Sequence, residues 1–98
     1  MITRIVKMTF DKNHSEDFLS LFREIAPTIR SFRGCRELKL LRDKNDPNTF
    51  FTWSSWESEE DLQNYRNSAF FADTWPKTKK LFAQKPEAWT VEVTENLE

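Results

Sequence analysis

Hydrophobic and polar residues alternate near the start of the chain, and this period of two predicts a β-strand over residues 2–10. Ile5 interrupts the alternation, because it adds an apolar side chain to the face that is otherwise polar. The members of the apolar face are Ile2, Val6, Met8 and Phe10.

After this strand the apolar residues recur every three or four positions, which predicts an amphipathic helix. Asn13 and Glu16 have the spacing of a capping box at its start. Pro27 is expected to kink the helix or end its first part, because proline lacks an N–H group and crowds the preceding turn. Gly34 is the expected stop signal. The helical stripe consists of Phe18, Leu21, Phe22, Ile25, Ile29 and Phe32.

Residues 35–42 and 49–57 are predicted to form a β-hairpin, because the segment between them, DKNDPN, has the composition of a turn. Ser58 is the expected N-cap of a second helix with an acidic first turn. Ser68 is expected to cap a further helix that runs to Trp75 and restarts near Pro76. A last strand is predicted around residues 89–93.

This order of elements, β-α-β-β-α-β, predicts an α+β fold of the ferredoxin-like, split β-α-β type, with an antiparallel sheet and helices on one face. The 98 residues are expected to form one domain, residues 1–98. Phe50 and Trp56 lie on one face of the third strand and Phe51 and Trp53 on the other. Because both sheet faces carry apolar residues and one chain supplies only one covering layer, we expect a homodimer.

Aromatic residues are concentrated between residues 53 and 75, which hold three of the four tryptophans and the only tyrosine. Such a cluster builds either a bulky core or the wall of a pocket for a flat apolar molecule. The partner that it indicates is a small aromatic molecule.

Charge and composition exclude several other classes of function. The 15 basic and 16 acidic residues give a net charge of -1, which argues against a nucleic-acid partner. No long apolar run or signal peptide indicates a membrane partner or export, so we expect a cytoplasmic protein. One cysteine and one histidine make no metal constellation, so we expect no metal.

Several positions resemble the antibiotic biosynthesis monooxygenase (ABM) domain. The resemblance rests on the order of elements, on the step from Gly34 to Cys35, and on a pattern in the second half of the chain. That pattern is Trp56-x-Ser58, followed by Leu62-x-x-Tyr65-x-x-Ser68-x-x-Phe71. The resemblance implies a dimeric α+β barrel. It also implies membership of a group that includes cofactor-independent oxygenases of quinols and polycyclic aromatic molecules, haem-degrading enzymes, and proteins with no known reaction.

The haem-degrading branch of that family is disfavoured by this sequence. Its members place a functional histidine where this chain has Trp75, and the only histidine here, His14, precedes the first helix. Without a histidine at that position, axial ligation of haem iron is lost.

The function implied by the resemblance is therefore a monooxygenase that oxidises a quinol or polycyclic aromatic substrate with O2 and needs no cofactor. The alternative is a non-catalytic dimer that binds a small apolar ligand. Trp56 belongs either to the hydrophobic core or to the wall of the ligand pocket. Phe70 and Phe71 are adjacent in sequence, so they cannot share a helix face. Arg4 or Arg66 can stabilise an anion. The candidate catalytic residues are Trp75 and Tyr65, and the candidate substrate-binding residues are Trp53, Trp56, Phe70, Phe71 and Arg4.

Overall fold

The sheet has the strand order β2-β3-β1-β4, and every neighbouring pair of strands is antiparallel. The computed structural model describes residues 1–97. The elements in chain order are β1 (Ile2–Thr9), α1 (Ser15–Ser31), β2 (Cys35–Arg42), β3 (Thr49–Trp56), α2 (Glu59–Arg66), α3 (Ala69–Lys79) and β4 (Glu87–Glu92). This is the predicted α+β ferredoxin-like fold, with the helices packed on one face of the sheet.

The hydrophobic core consists of two separate clusters on the helix-covered face. One cluster lies where Met8 of β1 pairs with Phe50 of β3, and it includes Phe10 and Phe18. The other lies at the opposite end of the sheet, where Trp56 packs with Cys35 and Leu62. The space between the two clusters is where a cavity forms.

The N-caps of the second and third helices are confirmed, but that of the first is not. Ser58 Oγ accepts a hydrogen bond from the backbone N–H of Asp61, and Ser68 Oγ accepts one from that of Phe71, both at 3.1 Å. The predicted capping box of Asn13 is wrong, because α1 begins at Ser15 and its N-cap residue makes no side-chain capping bond. The N–H of Asn13 instead donates to Asp11 Oδ1 in the preceding turn.

Neither internal proline ends its helix. α1 continues through Pro27, and α3 runs without a restart through Pro76. Each proline deprives the carbonyl group four residues earlier of its N–H donor. Those carbonyls belong to the exposed residues Arg23 and Ala72, where water can replace the missing donor. The predicted break between Trp75 and Pro76 is therefore wrong.

The connection from α1 to β2 requires a glycine. Gly34 has φ of 84°, and a Cβ atom there would lie 2.3 Å from Asp61 Oδ2 and 2.6 Å from Asp61 Cβ. Its carbonyl accepts a hydrogen bond from the N–H of Glu57 at 2.8 Å. The turn after α1 is thus held directly against the start of α2.

The face of the sheet away from the helices, which we call the open face, carries large apolar side chains. Trp53 and Trp89 flank Ile5 in one row across the sheet. Trp89 is 44% exposed and Leu41 42% exposed. The indole N–H of Trp53 donates to Glu37 Oε1 at 3.2 Å, so this polar atom is satisfied on the open face. Among residues 1–97, no helix has the length and apolar composition that a membrane crossing requires.

Candidate functional site

A cavity of about 190 Å³ lies between the sheet and the helices. Met8 and Phe18 of one core cluster form its boundary on one side, and Leu62 of the other cluster forms it on the opposite side. The cavity therefore divides the core in two.

Helix α3 forms one wall of the cavity. Four of its residues line the space at positions i, i+3, i+4 and i+7 of a single helix face, which is the spacing of an inward-facing stripe. Phe71 and Trp75 stack with ring centroids 5.7 Å apart and planes at 15°. The other two residues of the stripe are Thr74 and Thr78, whose hydroxyl groups donate to backbone carbonyls within the helix.

Tyr65 of α2 is held in the wall by other aromatic rings. It stacks on Trp56 with centroids 5.2 Å apart and planes at 22°, and it meets Phe71 and Phe32 edge to face. Burial, with a smaller contribution from the nearby Cys35, raises the pKa of the Tyr65 hydroxyl to about 12. The hydroxyl is therefore neutral at ordinary pH, and it can donate a hydrogen bond into the cavity.

The sheet forms the floor of the cavity and contributes further polar groups. Arg4 of β1 and Ser54 of β3 lie opposite each other in the strand register, and both line the cavity. Ser54 Oγ accepts a hydrogen bond from Trp56 Nε1 at 2.9 Å. Because that bond uses a lone pair of the oxygen, the hydroxyl proton of Ser54 is left to donate to a ligand.

Two arginines line the cavity. Arg4 Nη1 donates to Thr90 Oγ1 at 2.8 Å, and Arg66 lines the cavity from the last turn of α2. Burial, together with the positive charge of Arg66, lowers the pKa of Arg4 from its ordinary value. The cavity wall formed by the described residues includes no aspartate, glutamate or histidine. The site thus offers aromatic surface, hydrogen-bond donors and positive charge.

Four of the residues predicted for the site line the cavity: Trp75, Tyr65, Phe71 and Arg4. Three others do not. Trp56 is wholly buried behind Tyr65, and Phe70 packs on Phe32 with ring centroids 5.8 Å apart. Trp53 points to the open face of the sheet, where it bonds Glu37.

Sequence reasoning missed several cavity-lining residues, although the pattern contained a signal for some of them. Ser54 and Thr52 have the same strand parity as Phe50, so they must lie on the helix-covered face. Thr74 and Thr78 lie on the same face of α3 as Phe71 and Trp75. The sequence does not reveal this stripe when a helix break is expected at Pro76. The remaining missed residues that contact the space are Val6, Met8, Phe18, Phe22, Ile25, Ile29, Leu38, Leu62, Pro86 and Ala88.

Comparison with protein-family models gives a match to the family described as antibiotic biosynthesis monooxygenase, over residues 1–76. A comparison with curated proteins gives no significant match.

Solved structures with similar folds share little sequence with this chain. An antibiotic biosynthesis monooxygenase superposes with a TM-score of 0.90 at 19% identity, over 97% of this chain and 100% of its own. A conserved protein from Methanosarcina mazei Go1 gives 0.87 at 16% identity, over 93% and 91%. SnoaB, a cofactor-independent oxygenase from Streptomyces nogalater, gives 0.88 at 17% identity, over 98% and 95%. At these identities the likeness shows the fold alone.

Proposed function

The chain belongs to the antibiotic biosynthesis monooxygenase family, and on that basis we propose that it is a cofactor-independent monooxygenase that oxidises a quinol with O2. The observation that carries the proposal is the cavity itself. Trp75 and Phe71 supply flat apolar surface, and Tyr65 supplies a neutral hydroxyl donor beside that surface. The similarity to SnoaB, a cofactor-independent oxygenase, agrees with this assignment.

The size of the cavity favours a single-ring quinol over a polycyclic substrate. Its volume is about 190 Å³, whereas an engineered apolar cavity of about 150 Å³ holds one benzene molecule. One substituted aromatic ring therefore fits the space between the two core clusters. A molecule with three fused rings would require Met8 or Leu62, the core residues at its boundaries, to move.

The reaction requires no electrons from outside the substrate. A hydroquinone and O2 give a hydroxyquinone and water: one oxygen atom forms a C–O bond on the ring, the other leaves as water, and the ring supplies the electrons. The phenol loses its proton as electron density passes from the ring to O2, and that proton ends in the water that is formed. Tyr65 and Ser54 stabilise the phenolate by donating hydrogen bonds, as oxyanion donors do. The aromatic wall excludes bulk water from the reacting ring.

Within residues 1–97, the cavity wall contains no carboxylate or imidazole, and this fits a substrate that brings its own hydroxyl group. In this proposal Trp75 orients the ring by stacking and by donation from its indole N–H. We assign Trp75 and Tyr65 as the residues that act on the substrate, with Phe71, Arg4 and Ser54 as binding residues.

A homodimer formed through the open face belongs to the same proposal. Trp89, Val91 and Leu41 are each more than 40% exposed there, beside Ile5 and Trp53. A contiguous apolar sheet face of this kind marks an interaction surface. A second copy supplies the same face in a two-fold arrangement and covers it.

Oxygen uptake by the purified, metal-free protein tests the proposed reaction. We expect uptake with single-ring hydroquinones that saturates with substrate and exceeds autoxidation. It should fall by about tenfold to a thousandfold in Trp75→Ala and Tyr65→Phe, as for the loss of other groups that stabilise a transition state. Trp89→Phe, on the open face, is the matched control and should retain the wild-type rate.

Two results would contradict the assignment. Unchanged turnover in both cavity variants would show that the reaction does not take place in this cavity. Saturable binding, seen as a ligand-dependent rise in Tm, without oxygen uptake for any hydroquinone would favour the alternative of a non-catalytic binder of a small apolar ligand.

A further inference from the structure

The cavity is polar at one end and apolar at the other, and the strand register produces this gradient. Arg4 stands in one row across the sheet between Ser54 and Thr90. The next row on the same face of the sheet is centred on Val6, and the row after that is centred on Met8. Because residues i and i+2 of a strand share a face, the floor changes from a guanidinium to a thioether over about 14 Å.

The charge at the polar end has no carboxylate partner in the part of the chain that the structure describes. Neither Arg4 nor Arg66 forms a salt bridge with any carboxylate of residues 1–97, whereas Arg36 pairs with Glu57 and Arg42 with Glu16. Arg4 uses one of its N–H groups on Thr90 and retains others, since a guanidinium has five.

Placing two like charges together beside an apolar cavity is unfavourable unless an anion joins them. Both arginines line the same cavity, and the positive charge of Arg66 adds to burial in lowering the pKa of Arg4. A planar guanidinium fork matches a carboxylate better than it matches a neutral hydroxyl, because it can make two parallel hydrogen bonds.

We propose that the cavity binds a single aromatic ring that carries a carboxylate, with the carboxylate held between Arg4 and Arg66 and the ring against Trp75 and Tyr65. This inference rests on the proposed function in that it uses the same cavity, and it adds the substrate class: a quinol acid rather than a neutral quinol. The carboxylate orients the ring, since both cationic side chains that line the cavity within residues 1–97 belong to the proposed carboxylate site.

Two ligands of nearly the same shape, one with a charged carboxylate and one with a neutral carboxamide, provide the test. We choose 2,5-dihydroxybenzoate and 2,5-dihydroxybenzamide, which share the ring and both hydroxyl groups. Isothermal titration under anaerobic conditions at neutral pH measures binding without turnover. We expect the wild type to bind the acid about tenfold to a hundredfold more tightly than the amide, as for hydrogen bonds to a charged group. Added salt should reduce this preference.

The variants Arg66→Gln and Arg4→Met should each reduce the preference for the acid at least about fivefold and leave binding of the amide nearly unchanged. Arg66 is exposed on the last turn of α2, so its replacement does not threaten folding even if Arg4→Met does. Arg23→Gln removes the same charge from an exposed position of α1 that does not line the cavity, and it should keep the wild-type preference.

Equal affinity for the acid and the amide, or a preference that survives both arginine variants, would overturn the inference. Oxygen uptake with each ligand separates it from the proposed function. Turnover of the amide with no preference for the acid would support the proposed monooxygenase and contradict the proposed carboxylate site. A preference for the acid that depends on the arginines, without oxygen uptake, would support the carboxylate site and contradict the proposed monooxygenase.

Discussion

The indole N–H of Trp56 donates to Ser54 Oγ at 2.9 Å, and this bond joins a wholly buried tryptophan to a residue of the cavity floor. Both residues lie on β3, two positions apart and on the same face of the sheet. The core and the cavity therefore share one hydrogen bond, so a change at the cavity floor is also a change in the core.

Replacing Ser54 with alanine should lower the free energy of unfolding by about 1–3 kcal/mol, because it leaves the buried N–H of Trp56 without an acceptor. Urea denaturation followed by tryptophan fluorescence measures the effect. Ser20→Ala, on the exposed side of α1, is the control and should change stability by less than about 0.5 kcal/mol. An equally small effect in Ser54→Ala would mean that the hydrogen bond between Trp56 and Ser54 makes no net contribution to the free energy of unfolding.

Replacing Gly34 with alanine should destabilise the protein by roughly 1–3 kcal/mol or more. Two causes act together: a positive φ of 84°, which strains any L-residue, and the approach of the new Cβ to Asp61. The contact includes Asp61 Cβ, so rotation of the carboxylate does not relieve it. A double-mutant cycle with Asp61→Gly separates the causes, since only the steric part is recovered. Additive effects would show that backbone strain alone is responsible.

The single tyrosine makes its titration directly observable. The absorbance change of phenolate formation should have its midpoint near pH 12 in the folded protein, and it should vanish in Tyr65→Phe. A midpoint near 10, the ordinary value, would mean that Tyr65 is solvated rather than held in the wall.

The same pKa shift predicts how stability depends on pH. Between about pH 10 and 12 the unfolded chain has lost the phenol proton and the folded chain retains it, so the unfolded state binds fewer protons. The contribution of Tyr65 to stability is thus fully present below pH 10 and is lost as pH rises toward 12, by at most about 1.4 kcal/mol per pH unit. Denaturation at pH 9 and 11 should show a steeper loss in the wild type than in Tyr65→Phe.

Placing a charge on the open face should separate the proposed dimer. Trp89→Glu is expected to give a monomer mass by sedimentation equilibrium at micromolar concentration, where the wild type gives twice that mass, because the carboxylates of both copies would be buried at the interface. Lys79→Glu, an exposed change on α3, is the control and should remain dimeric. A monomeric wild type would contradict the dimer.

The strands and two of the helix caps could be predicted from sequence because the information is local. Alternation defines β1, and Ser58 and Ser68 stand directly before their helices. The wall of the cavity could be predicted only in part, because it depends on how α2 and α3 are rotated against the sheet. Parity alone separates Trp53 from Trp56, but it does not tell whether Trp56 touches a ligand or stands one ring behind Tyr65.

The continuity of α3 also depends on tertiary structure. Pro76 has the local signature of a helix start, and the helix nevertheless passes through it. Trp75 packs between Phe71 and Phe82 and Thr78 is buried, while the affected carbonyl belongs to the exposed residue Ala72. Packing of one face here outweighs the loss of one hydrogen bond.

The cavity between the two core clusters is empty volume in the folded protein, and this volume is lost when the chain unfolds. Unfolding of this protein is therefore accompanied by a decrease in volume, and hydrostatic pressure shifts the equilibrium toward the unfolded chain. A ligand that occupies the space between Met8 and Leu62 removes part of that difference, so bound protein resists compression better than free protein does.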